Sequence, residues 1–111
     1  MGARFIYGTV QGSKGLRNGK VKDDTEFSFE YQAANDDFKT YRVYVPTRDD
    51  YEVSLEVIDR ALNAGYNLIV YDNWIFPTYS GKHHAGIHQI QICSVPEFIK
   101  AIKNSQKLEF E

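Results

Sequence analysis

Two stretches of the chain alternate between apolar and polar residues as half-buried β-strands do. In the first, Glu26 to Gln32, every second residue is aromatic and most residues between are polar or acidic. In the second, Phe38 to Val45, aromatic and β-branched residues share one face. A period of two places one set of side chains on a core and the other in solvent. The pattern predicts two antiparallel strands, the second ending at Pro46.

The N-terminal part also reads as extended structure. Arg4 to Val10 alternates Phe, Tyr and Thr with Ile and Val, and this predicts a strand. Asn18 and Gly19 then form the strongest hairpin signal in the chain, because a type I′ turn needs positive φ at both central residues. The tip of this predicted hairpin carries a set of bases: Lys14, Arg17, Lys20 and Lys22.

Helical spacing of apolar residues occurs in two places. From Arg48 to Ala64 these residues lie three or four positions apart, which predicts an amphipathic helix. Thr47 suits the N-cap of this helix and Gly65 suits its C′ position. Further on, Ser94 and Glu97 have the spacing of a capping box and predict the start of a second helix.

Two further strands complete the predicted fold. Asn67 to Tyr71 is continuously apolar after its first residue, as in a central strand covered on both faces, and Ile87 to Cys93 alternates. The expected fold is α+β, with a mainly antiparallel sheet of about five strands and two helices packed on one face. The expected order is β-β-β-β-α-β-β-α, with the basic hairpin inside the first two strands. A length of 111 residues fits a single domain over residues 1–111.

The composition indicates which compartment and which broad class of protein to expect, but it says little about function. The single cysteine, Cys93, excludes an intrachain disulfide and fits a reducing compartment. The chain has no apolar run of the length of a membrane span and no secretory signal pattern at its N-terminus. We therefore expect a cytoplasmic protein that does not interact with membranes.

The charge is small overall but unevenly distributed. The net charge is −2, yet residues 1–22 hold five bases and no acid, whereas residues 23–59 hold eleven acids and three bases. A generally basic nucleic-acid-binding domain is disfavoured by this balance, although a local basic patch is not. Neighbouring strands of opposite charge would neutralise each other in a sheet.

The segment from Asp72 to Gly86 is expected to be a long irregular loop. It follows the predicted central strand, and ligands often bind beyond the carboxyl ends of such strands. Trp74, Phe76 and Tyr79 make it too apolar for a disordered segment. These aromatic residues either anchor the loop on the core or form a surface that contacts a partner, and both readings stay open.

The same segment holds all three histidines of the chain. His83, His84 and His88 lie within six residues, and imidazole is a frequent metal ligand and general acid–base group. Their spacing matches no helical zinc motif, since the glycines around them argue against a helix. His88 is expected to point to the same side of the last strand as Ile90 and Ile92.

The favoured hypothesis is a small non-catalytic binding module of inhibitor, adaptor or immunity type. It would recognise a macromolecular partner, most readily a protein, through the 72–88 loop and charged surfaces. The expected binding residues are Trp74, Phe76, Tyr79, Lys82, His83, His84, Lys14, Arg17 and Lys20. No cofactor and no metal are expected, and homodimerisation stays open.

Two alternatives remain beside that hypothesis. One is a small hydrolase or nuclease, whose catalytic residues would be Asp72, His83, His84 and His88. The other is nucleic-acid binding through the basic hairpin over residues 14–22, where Lys and Arg side chains would contact phosphates.

Overall fold

The computed structural model describes residues 2–47, 50, 52–72 and 74–110, which contain four helices and seven strands. The helices are α1 (Ala3–Val10), α2 (Leu55–Asn63), α3 (Tyr79–Ile87) and α4 (Val95–Lys103). The strands are β1 (Leu16–Asp23), β2 (Glu26–Tyr31), β3 (Lys39–Tyr44), β4 (Glu52–Val53), β5 (Leu68–Tyr71), β6 (Phe76–Pro77) and β7 (Gln91–Ser94).

The main sheet has the strand order β1-β2-β3-β5-β7 and is mixed. β1, β2 and β3 are antiparallel neighbours, whereas β3, β5 and β7 are parallel neighbours. β4 and β6 form a separate parallel pair. The predicted α+β class is confirmed, but the prediction of a mainly antiparallel sheet is wrong, because the sheet turns parallel after β3.

The helices cover both faces of the main sheet. α1 and α4 contribute to one buried cluster and α2 and α3 to the other, so the prediction of two helices on a single face is wrong. β5 lies between the two clusters: Leu68 and Val70 face the first, and Ile69 faces the second. The continuous apolar run over this strand follows from that double burial, as the sequence predicted.

Helix α1 replaces the strand predicted over Arg4 to Val10. Ala3, Ile6 and Val10 are fully buried, whereas Phe5 stays 59% exposed. The buried residues are three and four positions apart, so the apolar face has the helical period. The prediction was wrong because aromatic and β-branched residues in this stretch also alternate, and packing of the helical face on the sheet decides between the two periods.

The first hairpin turns at Asp24 and Thr25, so the turn predicted at Asn18 and Gly19 is wrong. These two residues lie inside β1, at an irregularity of its pairing with β2, and Asn18 has a φ of 54°. A Cβ at position 19 would overlap the Tyr7 hydroxyl of α1. Gly19 therefore allows close approach of the helix to a bulged strand.

Helix α2 begins later than predicted. Its N-cap is Ser54, whose hydroxyl accepts a hydrogen bond from the Val57 amide, and not Thr47. The residues just before Ser54 form β4 instead of a first helical turn, and Arg48 and Asp49 of the predicted helix lie outside the described residues. The end of the helix is as predicted, since Gly65 has a φ of +87° after the Ala64 C-cap.

The C-terminal part combines one wrong and one confirmed prediction. Helix α3 occupies most of the segment predicted as a loop, and it also takes up the start of the strand predicted over Ile87 to Cys93. The capping box between Ser94 and Glu97 is present and starts α4. After α4, Leu108 is buried, so the tail is packed on the core.

Candidate functional site

Small residues determine how helix α3 sits on the molecule. Its N-cap is Thr78, whose hydroxyl accepts a hydrogen bond from the Gly81 amide at 3.0 Å. Gly81 and Ala85, one turn apart, are buried, and a Cβ at position 81 would overlap the backbone carbonyl of Val53. Because the inner face consists of small residues, the larger residues of this helix point outward.

The outward face of α3 is apolar and aromatic. Tyr79, His83 and Ile87, spaced four residues apart, lie along one line of the helix and are here called the α3 stripe. Tyr79 is 86% exposed and Ile87 is 62% exposed. The rings of Tyr79 and His83 are nearly parallel, with 6.2 Å between centroids. The stripe is therefore an ordered surface without a covering element in the described residues.

The segment before α3 adds further exposed aromatic side chains. Phe76 is 69% exposed and Trp74 is 42% exposed, while Ile75 between them is buried. Ile75 is thus the residue that anchors this segment to the core. Of the two interpretations left open by the sequence, the exposures agree better with aromatic residues that face outward.

His84 and His88 lie on a different side of α3 from the stripe. His84 Nε2 is 2.6 Å from the Oδ1 atom of Asp59, which joins α3 to α2. The His84 and His88 rings are 4.5 Å apart and edge to face. His88 is the exposed C-cap of the helix, so the prediction that it shares a strand face with Ile90 and Ile92 is wrong.

Of the groups in the enzyme alternative, His84 and His88 are in contact. Asp72 follows β5, where its carbonyl oxygen accepts a hydrogen bond from the Ile75 amide at 3.0 Å. In the described residues no group of three or more His, Cys, Asp or Glu side chains is arranged to hold a metal ion. Cys93 is buried, and this burial raises the pKa of its thiol well above the usual value.

The predicted basic hairpin is partly neutralised by neighbouring acids. The Arg17 guanidinium lies 3.3 Å from a Glu30 carboxylate oxygen on β2 and covers the Phe38 ring at 3.5 Å from its centroid. Lys14 and Lys20 are exposed and make no ion pair with the described residues. Arg17, Lys20 and Lys22 therefore lie along β1 beside acids, with Lys14 in the loop before that strand, instead of gathering at a hairpin tip.

The sequence analysis missed a buried carboxylate, which lies between the antiparallel part of the sheet and α2. Glu26 is only 8% exposed; it pairs with Arg42 at 2.9 Å and accepts a hydrogen bond from the Tyr66 hydroxyl at 2.6 Å. The Arg42 hydrogen bond is the main reason why the pKa of Glu26 is lowered, against the effect of its burial. Lys22 completes the ion pairs of this carboxylate at 3.6 Å.

A second carboxylate group of the same composition lies next to the first. Asp50 accepts hydrogen bonds from the Tyr44 hydroxyl at 2.7 Å and from Arg60 at 2.6 Å. The Tyr44 ring is 5.4 Å from the Tyr66 ring, so the two groups are in contact. Because both carboxylates are bonded to their own Tyr and Arg partners, they stabilise the junction of sheet and α2 and leave little capacity for a ligand.

The comparisons with known proteins give no relative. No protein-family model, no curated protein and no solved structure matches the chain. Among the described residues, no helix has both the length and the apolar character that a membrane span requires.

The sequence analysis named most of the residues on this surface but missed their arrangement. Tyr79 and His83 were expected at a binding surface, whereas Ile87 was assigned to a strand. The signal that was available is the four-residue spacing of these three positions after Thr78, a good N-cap residue. Gly81 and Gly86 mask this signal, because glycine has a low helix propensity.

Proposed function

We propose that this protein is a small non-catalytic binding module that docks on a partner protein through the α3 stripe. The observation that carries the proposal is the exposure of Tyr79 and Ile87 on a helix that packs on the core through Gly81 and Ala85. Contiguous exposed apolar surface is a feature of interaction sites, and tyrosine is enriched among residues that contribute most to binding. Trp74 and Phe76 extend the candidate surface along the chain.

The acidic character of the surrounding surface supports a partner with a basic rim. α2, which contacts α3, exposes the acids Glu56 and Asp59. Such acids accelerate association with a basic protein by long-range attraction and contribute little to the final affinity. An inhibitor, adaptor or immunity-type protein in the cytoplasm would fit this combination of an aromatic centre and an acidic periphery.

The two alternatives have weaker support. The hydrolase or nuclease hypothesis is supported by the contact of His84 with Asp59, which could orient an imidazole for proton transfer. In the part of the chain that the structure describes, no nucleophile contacts this pair. Nucleic-acid binding is supported by Lys14 and Lys20, while Arg17 is already engaged by Glu30. Both stay hypotheses.

The test is capture of a partner from the source cell by the full chain, followed by measurement of the affinity for that partner. We expect Tyr79→Ala and Ile87→Ser each to weaken binding by about tenfold or more, since truncation of a central contact costs over about 1.4 kcal/mol. Phe5→Ala is the matched control, because Phe5 is an exposed aromatic residue on α1. Equal binding by all three variants would rule out the α3 stripe as the docking surface.

A further inference from the structure

The outer edge of β7 is open. In the described part of the sheet β7 pairs only with β5, and the Gln91 amide donates to the Asn67 carbonyl of that neighbour at 3.1 Å. Since the backbone groups of successive strand residues point in opposite directions, the N–H and C=O of Ile92 point away from β5. The amide of Ile90 bonds within the chain to Ala85, so Ile92 is the position left for an added strand.

A cleft of about 600 Å³ adjoins this edge, extends from it to β5 and β3, and is here called the β7 groove. Its floor is residues 89–92, one wall is α3 and the other wall is the C-terminal tail with the start of α4. The residues that form the walls are Lys82, Ala85, Gly86, Glu97, Leu108, Glu109 and Phe110. Away from the edge, the cleft is also lined by Lys39 and Tyr41 of β3 and by Asn67 and Tyr71 at the two ends of β5. The volume lies in the range of sites that bind ligands in proteins.

The tail wall of the β7 groove is held in place by specific contacts. The Phe110 amide donates to the Gln91 side-chain oxygen at 2.9 Å, and the Tyr31 hydroxyl donates to the Gln106 carbonyl at 2.7 Å. Leu108 is buried beneath the wall. The groove is therefore formed before any ligand arrives, which reduces the entropy cost of binding.

We propose that the β7 groove binds an extended peptide segment as an additional strand beside β7. Four residues of extended chain rise about 13 Å, the length of β7 itself, and the Ile92 backbone supplies a donor and an acceptor. Ala85 and Gly86 leave room for small side chains on the α3 side, and Lys82, without an ion pair in the described residues, favours an acidic one. The lining holds two acids, Glu97 and Glu109, and two bases, Lys39 and Lys82, so it lacks the net positive charge that a nucleic-acid strand requires.

The proposal rests on the proposed function, because the segment would belong to the partner that covers the α3 stripe. Lys82 and Gly86 of the groove wall each precede a stripe residue, and consecutive residues lie about 100° apart around a helix. The stripe and the groove are therefore neighbouring faces of α3. One partner can cover the stripe and place an extended segment in the groove.

The experiment uses a phage-displayed library of short random peptides, selected on the immobilised full chain. Gly86→Trp places a bulky side chain on the α3 wall of the groove, at a position where a Cβ meets no other atom within 4 Å. Gly8→Trp is the matched control, because Gly8 is an exposed helical glycine on α1 with the same free space. Ile92→Pro is the second variant and removes the outward N–H, together with an Ile side chain that packs against the second core cluster.

We expect the selected peptides to bind Gly86→Trp and Ile92→Pro at least about tenfold more weakly than they bind the Gly8→Trp control. We also expect them to slow hydrogen exchange of the Ile92 amide. Selection of no peptide, or equal binding to Gly86→Trp, would overturn the proposal. A dimer of this chain that Gly86→Trp dissociates would overturn it too, because a second copy would then occupy the groove.

The two proposals fail separately. If the captured partner loses affinity for Tyr79→Ala but binds Gly86→Trp as well as the unmodified protein, the docking surface stands and the groove proposal is wrong. If selected peptides need the groove but the partner binds Tyr79→Ala normally, the groove stands as a peptide site and the stripe is wrong.

Discussion

The backbone of Gly81 lies directly against the carbonyl oxygen of Val53, so that helix α3 approaches β4 with no side chain between them. The Thr78 amide donates to the same carbonyl at 3.1 Å. This contact sets the distance between α3 and β4. It therefore also determines the direction in which Tyr79 and Ile87 project. The geometry of the candidate surface therefore depends on the absence of a Cβ at position 81.

Gly81→Ala is expected to destabilise the protein by about 1–3 kcal/mol, because the added methyl forces α3 away from β4. The measurement is the free energy of unfolding by urea denaturation. Gly86→Ala is the control in the same helix: a Cβ there has free space, so stability should be unchanged or raised by up to about 0.5–1 kcal/mol. Equal effects of the two substitutions would show that α3 does not pack on β4 as described.

Glu26→Gln is expected to destabilise the protein by about 1–3 kcal/mol near neutral pH, because it weakens charge-assisted hydrogen bonds from Arg42 and Tyr66. The Arg42 hydrogen bond lowers the pKa of Glu26 in the folded state below its ordinary value of 4.5. A lowered folded pKa contributes stability above the unfolded pKa, and this contribution is lost as the pH falls through the folded pKa.

The check on this prediction is urea denaturation of both proteins near pH 7 and near pH 3. The difference between the unmodified protein and Glu26→Gln should shrink at the lower pH, as protonation removes the charge from Glu26. Glu30→Gln serves for comparison, because the Glu30 carboxylate pairs with the exposed Arg17 and should contribute little. A constant difference across this range would contradict the assigned cause.

Tyr31 should make the fold sensitive to alkaline pH. Its burial raises the pKa of the phenol to about 12. The unfolded chain ionises near pH 10, so the stabilising effect is complete below that pH and is lost as the pH rises towards 12. Tyr31→Phe should reduce this alkaline loss, although it costs about 1 kcal/mol near neutral pH through the lost hydrogen bond to Gln106. Denaturation over this pH range, with the exposed Tyr79→Phe as the control, measures both effects.

The sequence analysis correctly predicted the elements whose apolar pattern fits only one type of secondary structure. The strand with Phe27, Phe29 and Tyr31 alternates cleanly because one of its faces is fully buried and the other, apart from Glu26, is only partly buried. The run from Leu68 to Tyr71 is apolar on both faces because helices cover both. The capping box at Ser94 is a local signal that needs no tertiary contact.

The elements that the sequence analysis missed are those in which a tertiary contact determines the secondary structure. Gly81 has a low helix propensity, but its lack of a side chain allows the contact of α3 with Val53. Gly19 suggests a turn, but it lies under Tyr7. Val53 fits the period of the following helix, yet it is buried as part of β4. The candidate surface was accordingly predicted by residue type and not by shape.

The cap of α3 offers a way to weaken the candidate surface without altering any residue that would touch a partner. Thr78→Ala removes the hydroxyl that accepts the hydrogen bond from the Gly81 amide, at an expected cost of about 1 kcal/mol. The first turn of α3 should then open more often, which hydrogen exchange of the amides over residues 81–84 would report. Thr78→Ser keeps the acceptor and should leave exchange nearly unchanged. If α3 is the docking element, a captured partner should bind Thr78→Ala more weakly than Thr78→Ser, and equal affinities with clearly different exchange would place the contact elsewhere.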